Sequence, residues 1–556
     1  MKYQWHRDDR GLMDRRSFLG CGSLAAAGIF AGGYFTRLAG QDARGLATTA
    51  AVQTTSGRLR GLVRYGVNQF WGVPYGASTA GANRFMPPVK PAPWTGVRDA
   101  VEVRERAPQD PGGPISEVWS LDRREPMGED CLSVNVFTPG LGSGSRPVMV
   151  WLHGGGFSGG SGNWLLYDGT NLARKEDVVV VSVNHRLNLF GFLHLADLGA
   201  GEKWANSSNV GMQDIVAALA WIKDNIAAFG GNPGNVTIFG QSGGGGKVTT
   251  AMAMPSAKGL FHRGIAMSGS ALRGATRENA TRAAEQFLAK LGLKATELDQ
   301  LQKMPWRQVQ EAFFARPGIQ GLGNGPVVDG KSLPSDQWYP NAPDASANVP
   351  LMQGSTETED GWSDPPPPLE MPEEEMLTRV KRITRDDESK ARELIALYRK
   401  THPGITNTDV WLIMNSDNTR RANAQTLGEL KAAQGQAPSY LYYFTWRSPV
   451  HNGQMKSYHT LDIPFVLYNI DIAASMTGSG QDRYPLAHKM SAAWAAFARH
   501  GNPNHPDLPT WPAFNTTDRP TMMLGGECKV MNDPNREERL ALQALREPVR
   551  SSSAGD

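Results

Sequence analysis

The chain has 556 residues, of which 40% are hydrophobic and 20% charged, and a formal net charge of +3. That charge is too small to argue for nucleic acid or an anionic membrane surface as a partner, and the length allows one very large domain or several ordinary ones. Three cysteines, Cys21, Cys131 and Cys528, stand in no C-x-x-C or metal-ligand spacing, so neither a disulfide framework nor a zinc site is indicated and no metal or cofactor is expected.

Near the N-terminus, Arg15-Arg16-Ser17-Phe18-Leu19 leads into a Gly/Ala-rich apolar stretch, Cys21 to Phe35. This is similar to a twin-arginine export signal. The apolar run is short for a transmembrane span, and its glycines are costly in a helix. Residues 1–47 are therefore read as a signal segment, 48–550 as a single domain and 551–556 as a C-terminal tail. The expectation is export to the periplasm or beyond, with no stable membrane span in the mature form.

In chain order, Val52 to Val63 alternates around Gly57 as an opening hairpin. A strand follows at Glu129 to Val136. Pro147 to Leu152 and Val178 to Val183 are continuous apolar runs, the pattern of strands buried on both faces in a parallel sheet. Met212 to Phe229 has helical periodicity, with Ile215, Leu219, Ile222 and Ile226 on one side. Val236 to Phe239 and Ile265 to Met267 are further strands. Residues 275–315, 372–400, 408–433 and 487–499 read as helical, and Tyr440 to Trp446 as a late aromatic strand. Strand–helix–strand alternation of this kind implies a large, mostly parallel sheet with helices on both faces, an α/β architecture with helical insertions.

The chemistry centres on Gly240-Gln241-Ser242-Gly243-Gly244. A serine between small residues, placed where a strand turns into a helix, has the form of a nucleophile elbow. Its hydroxyl would stand clear of the sheet at a helix N-terminus, where free N–H groups favour negative charge. Upstream, His153-Gly154-Gly155-Gly156 ends an apolar strand in a run of glycines, which leaves backbone N–H groups free to approach a carbonyl oxygen. A serine nucleophile needs a base and the base an orienting acid, in the order Ser, Asp/Glu, His for this type of elbow. Chain order alone does not single out the acid. For the base it leaves His402, His451, His459, His488, His500 and His505.

Over most of its length the chain resembles the type-B carboxylesterases, the family that includes the cholinesterases and bacterial para-nitrobenzyl esterases. The matching stretches are Phe70–Tyr75, Glu129–Val136, His153–Phe157, Asn184–Leu187, Phe229–Pro233, Val236–Gly244, Pro326–Gly330, Trp494, Gly501–Asn504 and Asn532–Pro534. The resemblance implies an α/β-hydrolase fold and hydrolysis of carboxylic esters through an acyl-enzyme. It selects Glu359, five residues after Gly354, as the acid, with Glu357 and Asp360 as the nearby rivals. It selects His459, in the frame His459-Thr460-Leu461-Asp462-Ile463-Pro464-Phe465, as the base. The oxyanion donors carried over are the N–H groups of Gly155, Gly156 and Gly243, with Ser268 in a supporting role beside the triad of Ser242, Glu359 and His459.

Three departures bear on substrate. The family elbow commonly reads Gly-Glu-Ser-Ala-Gly; Gln241 removes a carboxylate beside the nucleophile, and Gly243 is expected to leave a roomier elbow. Gly245 and Gly246 point to close packing of the following helix, and Lys247 reads as a structural or surface residue. The expected substrate is a neutral small-molecule ester, with no nucleic-acid partner and a monomer or dimer as the assembly. Action on a lactone, amide or carbamate, and a non-catalytic binding role on the same fold, are the alternatives. The substrate pocket is expected from Phe70–Tyr75, the loop after Phe157, residues 360–415 and 446–467, with Trp362 and Trp411 as aromatic walls.

Overall fold

The structure, a computed structural model, describes residues 45–110, 125–315, 318–319, 321–323, 325–363 and 365–546. The twin-arginine stretch and the tail at 551–556 lie outside the described residues. The strands are β1 Val52–Gln53, β2 Arg58–Arg60, β3 Leu62–Arg64, β4 Val67–Pro74, β5 Val97–Asp99, β6 Ser133–Thr138, β7 Gly142–Leu152, β8 Val179–Val183, β9 Phe229–Gln241, β10 Arg263–Met267, β11 Leu351–Thr356, β12 Ser439–Phe444, β13 Pro520–Leu524 and β14 Lys529–Asn532.

Eleven of them form one sheet, in the order β14-β13-β12-β11-β10-β9-β7-β8-β6-β4-β3, and β1, β2 and β5 form a small separate sheet. From β8 through β7, β9, β10, β11 and β12 to β13 every neighbouring pair is parallel. The pairs at both edges, β3 to β8 on one side and β13 with β14 on the other, are antiparallel. The apolar runs read from the sequence supply this parallel centre, and both of their faces are covered. Met149, Trp151, Phe239 and Tyr442 pack with Trp494 of the helix Arg483–His500. Val148, Val150, Leu152 and Ile238 point the other way, against Ile215, Ile222 and Val248. This is the alternation that a strand imposes on successive side chains. With helices on both faces of a mixed, parallel-centred sheet, the fold is that of an α/β-hydrolase.

Several boundaries differ from expectation. The opening hairpin pairs β1 with β2 around Gly57, but β3 leaves it for the edge of the main sheet. The helix expected over 212–229 is Val210–Asn225, a short 3-10 turn follows, and Phe229 already belongs to β9. Residues 275–315 divide into Arg277–Lys290, Leu298–Lys303 and Trp306–Phe314. The expected 372–400 helix breaks into Glu373–Ile383 and Glu388–Thr401. Arg385 and Asp386 have positive φ there (57° and 64°), and the Asp387 side chain caps the second helix by accepting from Lys390 N–H. The 408–433 helix is likewise two, Asn407–Asn418 and Arg420–Gln434, separated at Thr419. No helix among the described residues is long and apolar enough to cross a membrane. Cys131 and Cys528 are both free and buried.

Candidate active site

The elbow stands where the sequence places it. Ser242 joins β9 to the helix Gly243–Ala253 with φ 58° and ψ −125°, a strained backbone for a residue with a side chain. Close packing holds it there. Ser242 N–H donates to Met267 O at 2.8 Å. A Cβ at Gly240 would lie 2.4 Å from Leu152 O, and one at Gly244 2.0 Å from the same oxygen, so only glycine fits on either side of the turn. Ser242 is half-buried and lines a cavity of about 450 Å³.

Next to the elbow, β7 ends in the loop His153–Gly160. Each carbonyl at its start is held. Lys247 Nζ donates to His153 O (2.7 Å) and His153 Nδ1 to Gly154 O (2.8 Å). Gly155 O accepts from Gly159 N–H (3.0 Å) and Ser158 N–H (3.3 Å). The peptide planes of Gly155 and Gly156 turn through positive φ (86° and 62°), which glycine adopts without penalty. The space expected beside Gly243 is not open: a Cβ there would lie 2.2 to 2.5 Å from the O, Cα and N atoms of Gly156. The glycine loop has moved into the volume that an alanine would fill, so the elbow is close-packed rather than roomy.

His459 and Glu359 meet from distant parts of the chain. Glu359 follows the end of β11, and its Oε2 lies 2.5 Å from His459 Nδ1. The other carboxylate oxygen accepts from Thr356 N–H (2.9 Å), and the Glu359 N–H donates to Ser416 Oγ (2.7 Å). Both side chains are buried. Burial alone would push the Glu359 carboxyl up, but His459 and Arg420 beside it hold it below its usual value. Burial pushes His459 down, Arg420 adds to this, and Glu359 opposes it. The pair therefore rests as carboxylate and neutral imidazole, with Nδ1 protonated and facing the acid. Gln241, fully buried, sets its amide nitrogen 3.2 and 3.3 Å from the two ring nitrogens of His459. His459 and Ser242 share the cavity wall.

Of the rival acids, Glu357 is engaged by Arg447 (2.9 Å) and Asp360 by the Asn415 side chain. The other five histidines do not line the cavity. Ser268 lies buried beside Glu359, and its hydroxyl helps to hold the Glu359 carboxyl below its usual value. Arg420 was not anticipated. It is 37% exposed, with Nε 3.6 Å from Glu359 Oε2 and Nη1 donating to Ser268 O at 3.2 Å. Trp164, Leu166, Tyr167, Phe314 and Trp362 supply the apolar wall. Trp362 fits the expectation, whereas Trp411 packs into a separate helical core. Phe70–Tyr75 and 446–458 contribute nothing to the lining. Lys247, expected to be structural or on the surface, is fully buried.

The chain is similar to known proteins over the whole of this architecture. A model of the carboxylesterase family matches residues 48–543. The para-nitrobenzyl esterase of Bacillus subtilis is 34% identical over 506 residues, covering 89% of this chain and 99% of that protein. The phenmedipham hydrolase of Pseudarthrobacter oxydans is 31% identical, covering 90% and 100%. Among solved structures, a Geobacillus stearothermophilus carboxylesterase at pH 6.2 superposes with a TM-score of 0.75 at 34% identity, over 89% of this chain and all of the other. The chain belongs to the carboxylesterase family and is a serine hydrolase of carboxylic esters.

Proposed function

We propose that Ser242 attacks the ester carbonyl while His459 takes its proton and Glu359 holds the imidazole. The observation that carries this reading is the 2.5 Å contact between His459 Nδ1 and Glu359 Oε2, beside a strained serine that opens onto the same cavity. With Nδ1 committed to the acid, Nε2 is the basic nitrogen. As the tetrahedral intermediate forms, the oxyanion takes hydrogen bonds from the N–H groups of Gly155, Gly156 and Gly243. Among the described residues the N–H groups of Gly155 and Gly156 have no other hydrogen-bond partner, and that of Gly243 is free at the helix start. His459 then protonates the leaving alcohol, and water releases the acid by the reverse steps. Ser268 supports Glu359 from behind.

The substrate in this reading is a neutral ester. Gln241 offers an amide where relatives carry a carboxylate, the cavity lining sets one cation, Arg420, against one acid, Asp110, and Trp164, Leu166, Tyr167, Phe314 and Trp362 form its apolar side. The twin-arginine stretch supports export to the periplasm or medium, where the enzyme acts as a monomer or dimer.

Ser242→Ala is expected to lower kcat by about 10⁴-fold or more with the fold intact. A fluorophosphonate should add to Ser242 in the wild type and fail to add in the variant, as read by mass spectrometry. Retained turnover in Ser242→Ala rejects the mechanism. The charge preference is read from a choline ester and its uncharged 3,3-dimethylbutyl isostere. We expect kcat/KM to favour the neutral ester by about tenfold; a preference for the cation would reject neutral-ester specificity alone.

A further inference from the structure

Lys247 lies five residues after the nucleophile, and its side chain has no exposure to solvent. Among the described residues no carboxylate pairs with it. Its Nζ donates to His153 O at 2.7 Å and lies 5.8 Å from the centre of the Phe157 ring. The rings of His153 and His185 stack nearby at 5.0 Å, and both are held well below the usual histidine pKa by burial and by Lys247. Neither can supply a counter-charge. A lysine buried without an acid opposes folding, and an apolar side chain of the same length would serve the core better. Its presence calls for a purpose other than stability.

The hydrogen bond to His153 O suggests where that purpose lies. In a trans peptide the C=O and the following N–H point in opposite directions. Pinning His153 O to Lys247 therefore turns the Gly154 N–H away from Lys247. The His153 ring then pins Gly154 O, which aims the Gly155 N–H. The turn at Ser158 and Gly159 pins Gly155 O, which aims the Gly156 N–H. Three successive peptide planes are set, and Lys247 sets the first. Lys247 also belongs to the helix whose first residue is Gly243. Because helical side chains lean toward the helix N-terminus, it reaches back past the elbow to the loop. The two groups of oxyanion donors, one on the loop and one on the helix, are tied together by this bond.

We propose that Lys247 is a positioning residue that holds the oxyanion loop in register with the nucleophile helix. The inference rests on the oxyanion assignment above. It explains why the glycine loop fits so closely against Gly243: the loop is drawn onto the helix by a hydrogen-bond donor anchored in that helix. Lys247 touches no substrate and transfers no proton.

The test replaces the amino group with an apolar chain of similar length, Lys247→Met, and with a shorter amide donor, Lys247→Gln. Rates on para-nitrophenyl butyrate are expressed per active site titrated with a phosphonate, so that only folded molecules count. For Lys247→Met we expect kcat to fall about tenfold or more with KM within about threefold of wild type, because misplaced donors are missed only in the transition state. Affinity for a trifluoromethyl ketone should weaken in step with kcat/KM. The thermal midpoint should stay level or rise. Lys247→Gln should recover part of kcat. Unchanged kcat and ketone affinity in Lys247→Met would overturn the proposal. So would a fall in kcat matched by a fall in thermal midpoint with ketone affinity unchanged, which marks a structural role. If Lys247→Met does not fold, Lys247→Gln is judged by the same criteria against wild type. The Ser242→Ala variant, assayed alongside, separates failure of this proposal from failure of the acyl-enzyme mechanism.

Discussion

His459 can accept a proton only while its ring is neutral, so the charges around it set the acid side of the activity profile. Burial and Arg420 lower its pKa below 6.5, and Glu359 and Asp360 raise it. The sign follows directly. A lowered pKa keeps the base neutral to lower pH, so the acid limb of kcat/KM should have its midpoint below 6.5. Arg420→Met removes a neighbouring cation and should move that midpoint up. Gln241→Glu places a carboxylate against the ring, where the amide nitrogen now lies at 3.2 to 3.3 Å, and should move it up as well. Both shifts are read from pH–rate profiles of kcat/KM. A midpoint that stays put in both variants would show that neither side chain sets the charge at His459. At this scale the proposed triad is legible through the family resemblance, because each member lies in a local frame that the resemblance matches: a strand-to-helix glycine turn, a glutamate after a strand, a histidine in a seven-residue segment. Arg420, Phe314 and Gln109 reach the cavity from segments with no such frame. Their roles depend on how helices break and pack, which hydrophobic periodicity does not encode.

At the level of the element, the helix that begins at Gly243 carries four glycines in a row, and they are not equivalent. A Cβ at Gly245 would lie 2.5 Å from Gly269 O, whereas one at Gly246 meets only Phe157 at 3.6 Å and Ala271 at 3.9 Å, ordinary contacts. Glycine costs a helix up to about 1 kcal/mol against alanine. Gly246→Ala should therefore raise stability by up to about that amount, with kcat unchanged. Gly245→Ala should lower it, because backbone has to move. Urea denaturation distinguishes them, and equal effects from the two substitutions would contradict the packing described. The expected close packing of this helix thus holds for Gly245 and fails for Gly246. The two helix breaks at 384–387 and Thr419 escaped the periodicity for a physical reason. The apolar stripe continues through the first, in one core that gathers Met376 and Ile395 while the chain reverses in the polar residues between; at the second the chain passes from that core, which holds Ile413, to another that holds Leu427. The second break starts a new helix at Arg420 and so places that side chain at the triad.

For the whole molecule, the strand signals were the most legible. Continuous apolar runs appear as β7, β8 and β9 because a doubly covered parallel strand has no polar face to interrupt it. The antiparallel edges were not foreseen, since short strands such as β3 and β14 pair through backbone groups that any sequence supplies. Stability of this molecule should carry a pH signature from Asp462. It is fully buried near Glu359, accepting from Tyr442 OH at 2.9 Å through Oδ2. Burial and then Glu359 raise its pKa from 3.8 to about 7. The folded state thus prefers the neutral acid. That contribution is complete below the unfolded pKa near 3.8 and is lost as pH rises through about 7. Asp462→Asn keeps an acceptor for Tyr442 and cannot ionise, so its thermal midpoint should exceed wild type at pH 8 and converge with it toward pH 4. A difference independent of pH would assign the effect to packing instead.

The strands that deliver the site are neighbours in space and strangers in sequence. β7 ends one residue before His153, β9 one residue before Ser242 and β11 shortly before Glu359, while His459 follows β12, some 300 residues after the first of them. None of these pieces can approach the others until the parallel centre has closed around β9 and β10. A half-assembled sheet therefore has no half-active cavity. Ester turnover is in effect a count of finished molecules, and a refolding chain of this kind stays silent until its longest-range contacts are made.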